Sequence, residues 1–350
     1  MKYTYITIIL SALVLLSCSC APESAGNYGV PKFPPIKVDE HTVYIGNFDK
    51  TCVYAVDTLN NRIIYQYNFG DDKVGLYDLD YDYNLSPNFF VNLQASKYYC
   101  VMVNPSTGRS KIIDDKIYAE GCSIVGNKVC FMADLYGTEY EHIFYDPSSD
   151  TIDRQIYQNR DSISADSGKF YVENNGQRYY IITTKPDPNN DEFRAQFLNI
   201  DTQTMVFSTD IDYTRMTDDE INYKISVADG SYEYICIPYF FNDIDGTPHS
   251  YSAVYKVNSI EPLDVVKVFE RDGSKFYDIY DAGEYLLICD VYSVIKFNKE
   301  TKEVVEECTV EDFYDYIRYY RNGALWFADW SGKDRVRKLN IETMQISYVD

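Results

Sequence analysis

From residue 40 onward, apolar and polar positions alternate in short runs, and the runs return in a fixed order. An alternating apolar segment ends on Asn or Asp, a few polar residues follow, and a second alternating segment comes back. The copies begin with VYAVDTLNNRIIYQY (Asp57), CVMVNPSTGRSKII (Asn104), HIFYDPSSDTIDRQI (Asp146) and QFLNIDTQTMVFS (Asp201). VYKVNSIEPLDVVKV (Asn258), VIKFNKETKEVVEE (Asn298) and RKLNIETMQISYV (Asn340) complete the set. Two-residue alternation predicts β-strands, because successive side chains on a strand point to opposite faces. Asn and Asp bond their own backbone two or three residues on, so these anchors read as turn starters rather than as a ring of functional carboxylates.

Neighbouring anchors stand 47, 42, 55, 57, 40 and 42 residues apart. A period of roughly 40 to 50 residues built from short strands is the signature of a propeller blade. The expected fold class is therefore all-β, a seven-bladed β-propeller of four-stranded antiparallel blades. Six or eight blades are the alternatives, since the stretch from Asp146 to Asn258 is stretched by long loops.

Each unit divides into strands a to d, from the innermost outward. The last is clearest: YDYIRYYRN, ALWFADW, RVRKLNI and QISYVD, with Asn322-Gly323 turning between the first two. In the first unit HTVYIGNF, CVYAVD and RIIYQYNF are evident, and the innermost strand is expected from about Pro35 to Asp39. A single propeller domain over 35–350 accounts for the whole repeat.

A resemblance rests on these residues. VYIGNFDKTCVYAVDTLNNRII, residues 43–64, resembles the YVTN-type repeat of seven-bladed propellers, and LWFADWSGKDRVRKLNIETMQI, residues 325–346, is a looser copy. In layout the chain is similar to the propeller lipoproteins that gut and oral bacteria export. The resemblance implies a binding platform without specifying its ligand. It implies no quinone cofactor, because the tryptophan-bearing docking motif of the quinoprotein propellers is missing and the tryptophans are Trp326 and Trp330.

The first residues carry a different pattern. MKYTYITIILSALVLLSCSC has one Lys, an apolar run from about Ile6 to Leu16, then small residues and cysteine, which reads as a signal peptide. Leu15-Leu16-Ser17-Cys18 resembles a bacterial lipobox, so 1–17 is expected to be removed and Cys18 to be lipidated; the alternative is an ordinary secretory signal. Residues 18–34 are small, polar and proline-rich, as a tether would be. Export and attachment to a bacterial membrane through the lipid alone follow, on the periplasmic side or at the cell surface.

Charge narrows the partners. With 54 acidic against 32 basic residues and a net charge of −22, the chain repels phosphate backbones and carries no basic stripe for nucleic acid. Seven cysteines lie beyond the lipobox pair: Cys52, Cys100, Cys122, Cys130, Cys236, Cys289 and Cys308. Most sit inside apolar strands, which suits small buried hydrophobes rather than metal ligands or a disulfide framework.

Two b–c connections stand out for length, KPDPNNDEF in blade four and YFFNDIDGTPHSY in blade five. Long loops on a rigid scaffold are where binding tends to reside. The candidate binding residues are Asp187, Asn189, Asp191, Tyr239, Phe240, Phe241, Asn242, Asp243 and Asp245. Asn242, Asp243, Asp245 and Gly246 resemble part of a calcium loop, but the distal Glu of such loops is missing, so a solvated acidic loop is the default and no cofactor is assigned. Asp78, Asp80 and Asp82 share one face of an innermost strand, as a channel-lining cluster or as a solvated face. No GxSxG elbow, HExxH pair or phosphate-binding glycine loop is present, so no catalytic residue is assigned. The reading is a monomeric binding or scaffold protein whose partner is an envelope protein or peptide, met at the blade four and five rim. The alternative is a propeller that binds or processes carbohydrate, with tyrosines and carboxylates as sugar contacts.

Overall fold

The computed structural model describes residues 29–349 apart from 48–49, 71–73, 84, 96, 117–118, 126, 135–138, 159–170, 175–176, 185–193, 200–203, 210–225, 228–232, 243–247, 261–262, 311–317 and 329–335. Among the described residues the strands form seven antiparallel sheets, and within each sheet they follow chain order. Blade one is Thr42–Asn47, Cys52–Asp57 and Arg62–Asn68. Blade two is Gly75–Asp80, Phe89–Gln94, Tyr98–Asn104 and Arg109–Asp114. Blade three is Ala119–Val125, Lys128–Asp134, Glu139–Asp146 and Thr151–Gln158. Blade four is Tyr171–Asn174, Gln177–Thr184, Arg194–Asn199 and Thr204–Thr209. Blade five is Ser226–Val227, Tyr234–Asn242, Pro248–Ile260 and Leu263–Asp272. Blade six is Asp278–Ala282, Tyr285–Cys289, Ser293–Asn298 and Glu303–Thr309. Blade seven is Arg318–Arg321, Ala324–Ala328, Val336–Asn340 and Gln345–Val349. The expected all-β propeller is the observed fold.

Burial follows position in the blade. A middle strand is covered on both faces by the neighbouring blades, and Ala324–Ala328 and Ser293–Asn298 are buried along their whole length; so is Thr42–Asn47, the inner strand of blade one among the described residues. The outermost Glu303–Thr309 is exposed at nearly every residue. Packed clusters run from blade to blade: Tyr234, Cys236 and Val254 of blade five meet Phe276, Ile279 and Leu286 of blade six. Tyr280 and Leu287 of blade six then meet Leu325, Phe327 and Leu339 of blade seven. Trp326 is fully buried, and its indole N–H donates to Arg321 O at 3.0 Å. Six of the seven cysteines beyond residue 28 are buried, and burial pushes the Cys100 and Cys122 thiols well up, which leaves them poor nucleophiles.

The anchors behave as turn chemistry requires. Asp57 Oδ1 accepts from Leu59 N and Asn60 N, Asn104 Oδ1 from Thr107 N, and Asp146 Oδ1 from Ser148 N and Ser149 N. Asn298 Oδ1 accepts from Glu300 N and Thr301 N, and Asn340 Oδ1 from Glu342 N and Thr343 N. Four residues after each of these anchors the backbone is left-handed, at Asn61, Gly108, Asp150, Lys302 and Met344. Asn322 and Gly323 both have positive φ, as a tight hairpin turn with the right-handed strand twist demands. Asp201 lies outside the described residues. Asn258 departs from the pattern: its strand runs on to Ile260, and its side chain bonds Asp264 across the pair. Replacing Asn340 by Asp should leave the thermal midpoint nearly unchanged, whereas Asn340→Ala, which loses both acceptor bonds, should cost about 1 kcal/mol. Equal midpoints for the two variants would refute the turn assignment.

Two expectations are corrected. Residues 35–39 are not an innermost strand; blade one has three strands among the described residues. Residues 29–39 instead run along blade two, where Phe33 N donates to Gly108 O (3.1 Å) and Ile36 N to Pro105 O (2.9 Å). Aromatic rings fill the inner end of blade one. Tyr44 lies 5.0 Å from Tyr81, Tyr81 lies 4.5 Å from Tyr319 of blade seven, and the Tyr319 hydroxyl donates to Leu79 O of blade two at 3.0 Å. The innermost strands of blades seven and two thus meet through side chains where a strand was expected to intervene.

The second correction concerns Asp78 and Asp80, which are neither a channel-lining cluster nor a solvated face. Asp78 Oδ2 accepts from Cys122 N at 2.8 Å and Asp80 Oδ2 from Ile124 N at 2.7 Å. The carboxylates take the place of backbone carbonyls and staple the innermost strand of blade two to that of blade three. For Asp82, backbone carbonyl bonds from Leu85 N and Ser86 N start a turn.

Candidate functional site

Among the described residues the blade five hairpin departs most from its sister blades. Its second strand has 9 residues and its third 13, longer than their counterparts in the other blades among the described residues. Pairing continues through Tyr239↔Tyr251, Phe240↔Ser250, Phe241↔His249 and Asn242↔Pro248. Tyr239 to Asn242, expected at the start of a loop, are therefore strand residues, and the connection shrinks to residues 243–247. β-propensity explains this: Tyr and Phe prefer a pleated surface, and the partner segment supplies the ladder. Asp243 and Asp245 lie outside the described residues, as do Asp187, Asn189 and Asp191 of blade four and the lipidation candidate Cys18.

The base of the hairpin is clamped. Ser252 Oγ donates to Ser274 O at 2.8 Å and accepts from Phe276 N at 3.0 Å, while Gly273 N donates to Ser250 O at 2.7 Å. These bonds tie the third strand to the segment that enters blade six. Arg271 grips Glu307 of blade six through two parallel bonds of 2.9 and 2.8 Å, and Ser293 Oγ also donates to Glu307. The Arg271 guanidinium holds the Glu307 carboxyl below its ordinary range. On the outer side Tyr251 donates to Glu270 Oε2 at 2.6 Å and receives a bond from Lys267. Burial, then the Glu270 carboxylate, push the Tyr251 phenol up to about 12. A phenol so raised stays protonated at neutral pH and acts as a hydrogen-bond donor.

The arrangement can present a paired hairpin tied at its base to blade six. Among the described residues no group of three or more His, Cys, Asp or Glu could hold a metal ion. No helix among the described residues is long and apolar enough to cross a membrane. The clamp residues Ser252, Arg271 and Glu307 were not legible in the sequence: a Ser bonded to backbone more than 20 residues on, or an Arg paired with an acid of the next blade, has no local signature.

No family model matches the chain, and no curated protein matches it in sequence. Solved structures match in fold, which places the chain in the class of β-propellers. The β-propeller domain of Cps50 (Swd1) from Myceliophteria thermophila aligns with a TM-score of 0.52 at 10% identity, over 88% of this chain and 93% of that one. Dihydro-heme d1 dehydrogenase NirN, solved in complex with DHE, aligns at 0.54 and 9% identity over 97% of this chain and 82% of its own. Apo AztD from Citrobacter koseri aligns at 0.50 and 8% identity over 88% and 94%. At such identities the likeness concerns architecture alone.

Proposed function

We propose that this propeller is exported, held to a bacterial membrane by a lipid on Cys18, and works there as a binding or scaffold protein. Its partner is an envelope protein or peptide met by the blade four and five rim. The observation that carries the reading is the blade five hairpin, whose strands stay paired as far as Asn242↔Pro248 and which is clamped at its base by Ser252 and Arg271. Length beyond what the blade requires, together with rigidity, is what a recognition element needs, since a preformed hairpin loses little entropy on binding. Aromatic residues at its end supply contact area at low conformational cost.

The test is crosslinking of the tagged full-length protein in intact cells, with identification of what co-purifies. One reproducible envelope protein is expected, and Tyr239→Ala/Phe241→Ala should reduce its recovery at least tenfold without changing the thermal midpoint. Undiminished recovery with the folded double variant would remove the rim from the proposal. Binding of the purified protein to glycans, with no protein recovered, would establish the carbohydrate reading instead.

A further inference from the structure

We infer that residues 29–39 are a mount that holds the rim bearing the c–d turns toward the membrane and the blade five hairpin away from it. The inference rests on the proposal that Cys18 carries the lipid. Its own basis is the docking of this segment, which differs from that of a loose linker. Three bonds fix it to the c–d turn of blade two: Phe33 N to Gly108 O, Ile36 N to Pro105 O, and Ser110 Oγ to Pro31 O at 2.9 Å. Phe33 is buried and meets Tyr67 and Phe69 edge-on at 5.0 and 5.4 Å, in the seam between blades one and two.

The repeat itself records the docking. The left-handed position four residues after the anchor is Asn61, Asp150, Lys302 or Met344 in other blades, so the turn geometry alone does not require glycine. In blade two it is Gly108, and a Cβ built there would lie 1.9 Å from Phe33 O. The glycine is needed because the mount passes over it.

From there the segment enters blade one at the same rim. Thr58 N and Oγ1, in the c–d turn of blade one, donate to His41 O at 3.0 and 2.7 Å. Arg321 of blade seven donates to Glu40 O at 2.7 Å, and Asn322 Nδ2 to Thr58 Oγ1 at 2.6 Å. The segment is thus held by blade two at residues 31–36 and by blades one and seven at Glu40 and His41, on one face of the ring.

Reach supports the orientation. Residues 18 to 29 span at most about 40 Å when extended and roughly 18 Å when relaxed. A blade strand of six residues is about 20 Å tall. An anchor of that length leaves the c–d rim near the bilayer and sets the b–c rim a strand's height further out, facing an incoming partner.

The test uses the lipidated full-length chain in vesicles of phosphatidylethanolamine and phosphatidylglycerol carrying an acceptor dye on the headgroups. A donor is attached through azidophenylalanine in place of Leu59 or Lys50, which are on opposite rims of blade one, or of Glu300 or Tyr292, on opposite rims of blade six. Energy transfer at least twofold greater from Leu59 and Glu300 than from Lys50 and Tyr292 is the expected result. Gly108→Ala, if folded by circular dichroism, should shrink that difference as the mount lifts. Equal transfer from both rims in a chain whose lipid is confirmed by mass, or an undiminished difference in Gly108→Ala, would overturn the mount and leave the lipid reading standing. An unmodified Cys18 in cell-derived protein would overturn both.

Discussion

Replacing Tyr319 by Ala should lower the stability of the whole propeller by about 3–5 kcal/mol, the range for deleting a large buried aromatic ring. The effect is expected to be global because of where the ring sits. Blade one has no innermost strand among the described residues, and Tyr319 bridges the gap with its ring on Tyr81 and its hydroxyl on Leu79 O. A closed ring is cooperative: loosening one seam weakens the packing on both sides, here against Tyr44 and Trp326 in one connected cluster. Tyr319→Phe keeps the ring and removes the hydroxyl, so it should cost only about 1–2 kcal/mol, the penalty for leaving Leu79 O unpaired. Denaturant unfolding followed by tryptophan fluorescence measures both. An Ala variant within 1 kcal/mol of the parent would show that closure does not depend on this residue.

The second large effect is on acid stability, through His142. This histidine is 2% exposed on the third strand of blade three, and burial pushes its pKa down from 6.5 to about 3. Because the folded value lies below the unfolded one, the unfolded chain takes up the proton first. Stability contributed by the neutral, buried ring is complete above about pH 6.5 and is lost as pH falls toward 3, at about 1.4 kcal/mol per pH unit. Between pH 6.5 and 4.5 the expected loss is roughly 2 kcal/mol from this residue. Acidic side chains elsewhere add their own pH dependence, so the informative quantity is the difference from His142→Gln. That variant should be less stable at pH 7.5 and should narrow the gap steadily below pH 6.5. Parallel curves for the two proteins across that range would contradict the assignment.

The turn anchors were legible because their chemistry is local. Asp57, Asn104, Asp146, Asn298 and Asn340 each bond backbone two or three residues away, and no distant partner is involved. Asn258 misled for the same reason: its local pattern matches the others, but pairing with Asp264 across an extended hairpin is worth more than the early turn. Tyr239 to Asn242 read as a loop because polar residues follow them, and only the ladder to Pro248 through Tyr251 makes them strand. The candidate rim was legible as a departure from the repeat; the Ser252 and Arg271 clamps that stiffen it join residues from two blades and leave no trace in spacing.

The residues alone carried the all-β class, the repeat length and the turn positions, since strand alternation and Asn/Asp turns are properties of a few neighbouring side chains. Closure belonged to the assembled ring. Whether residues 35–39 pair inside blade one or strap across blade two depends on competition among segments far apart in the chain. The three-dimensional packing settles it through the space over Gly108 and the aromatic plug of Tyr44, Tyr81 and Tyr319. The acids at 78 and 80 show the same division. Alternation placed them on one face, and only the arrival of blade three's backbone N–H groups turned that face into a seam.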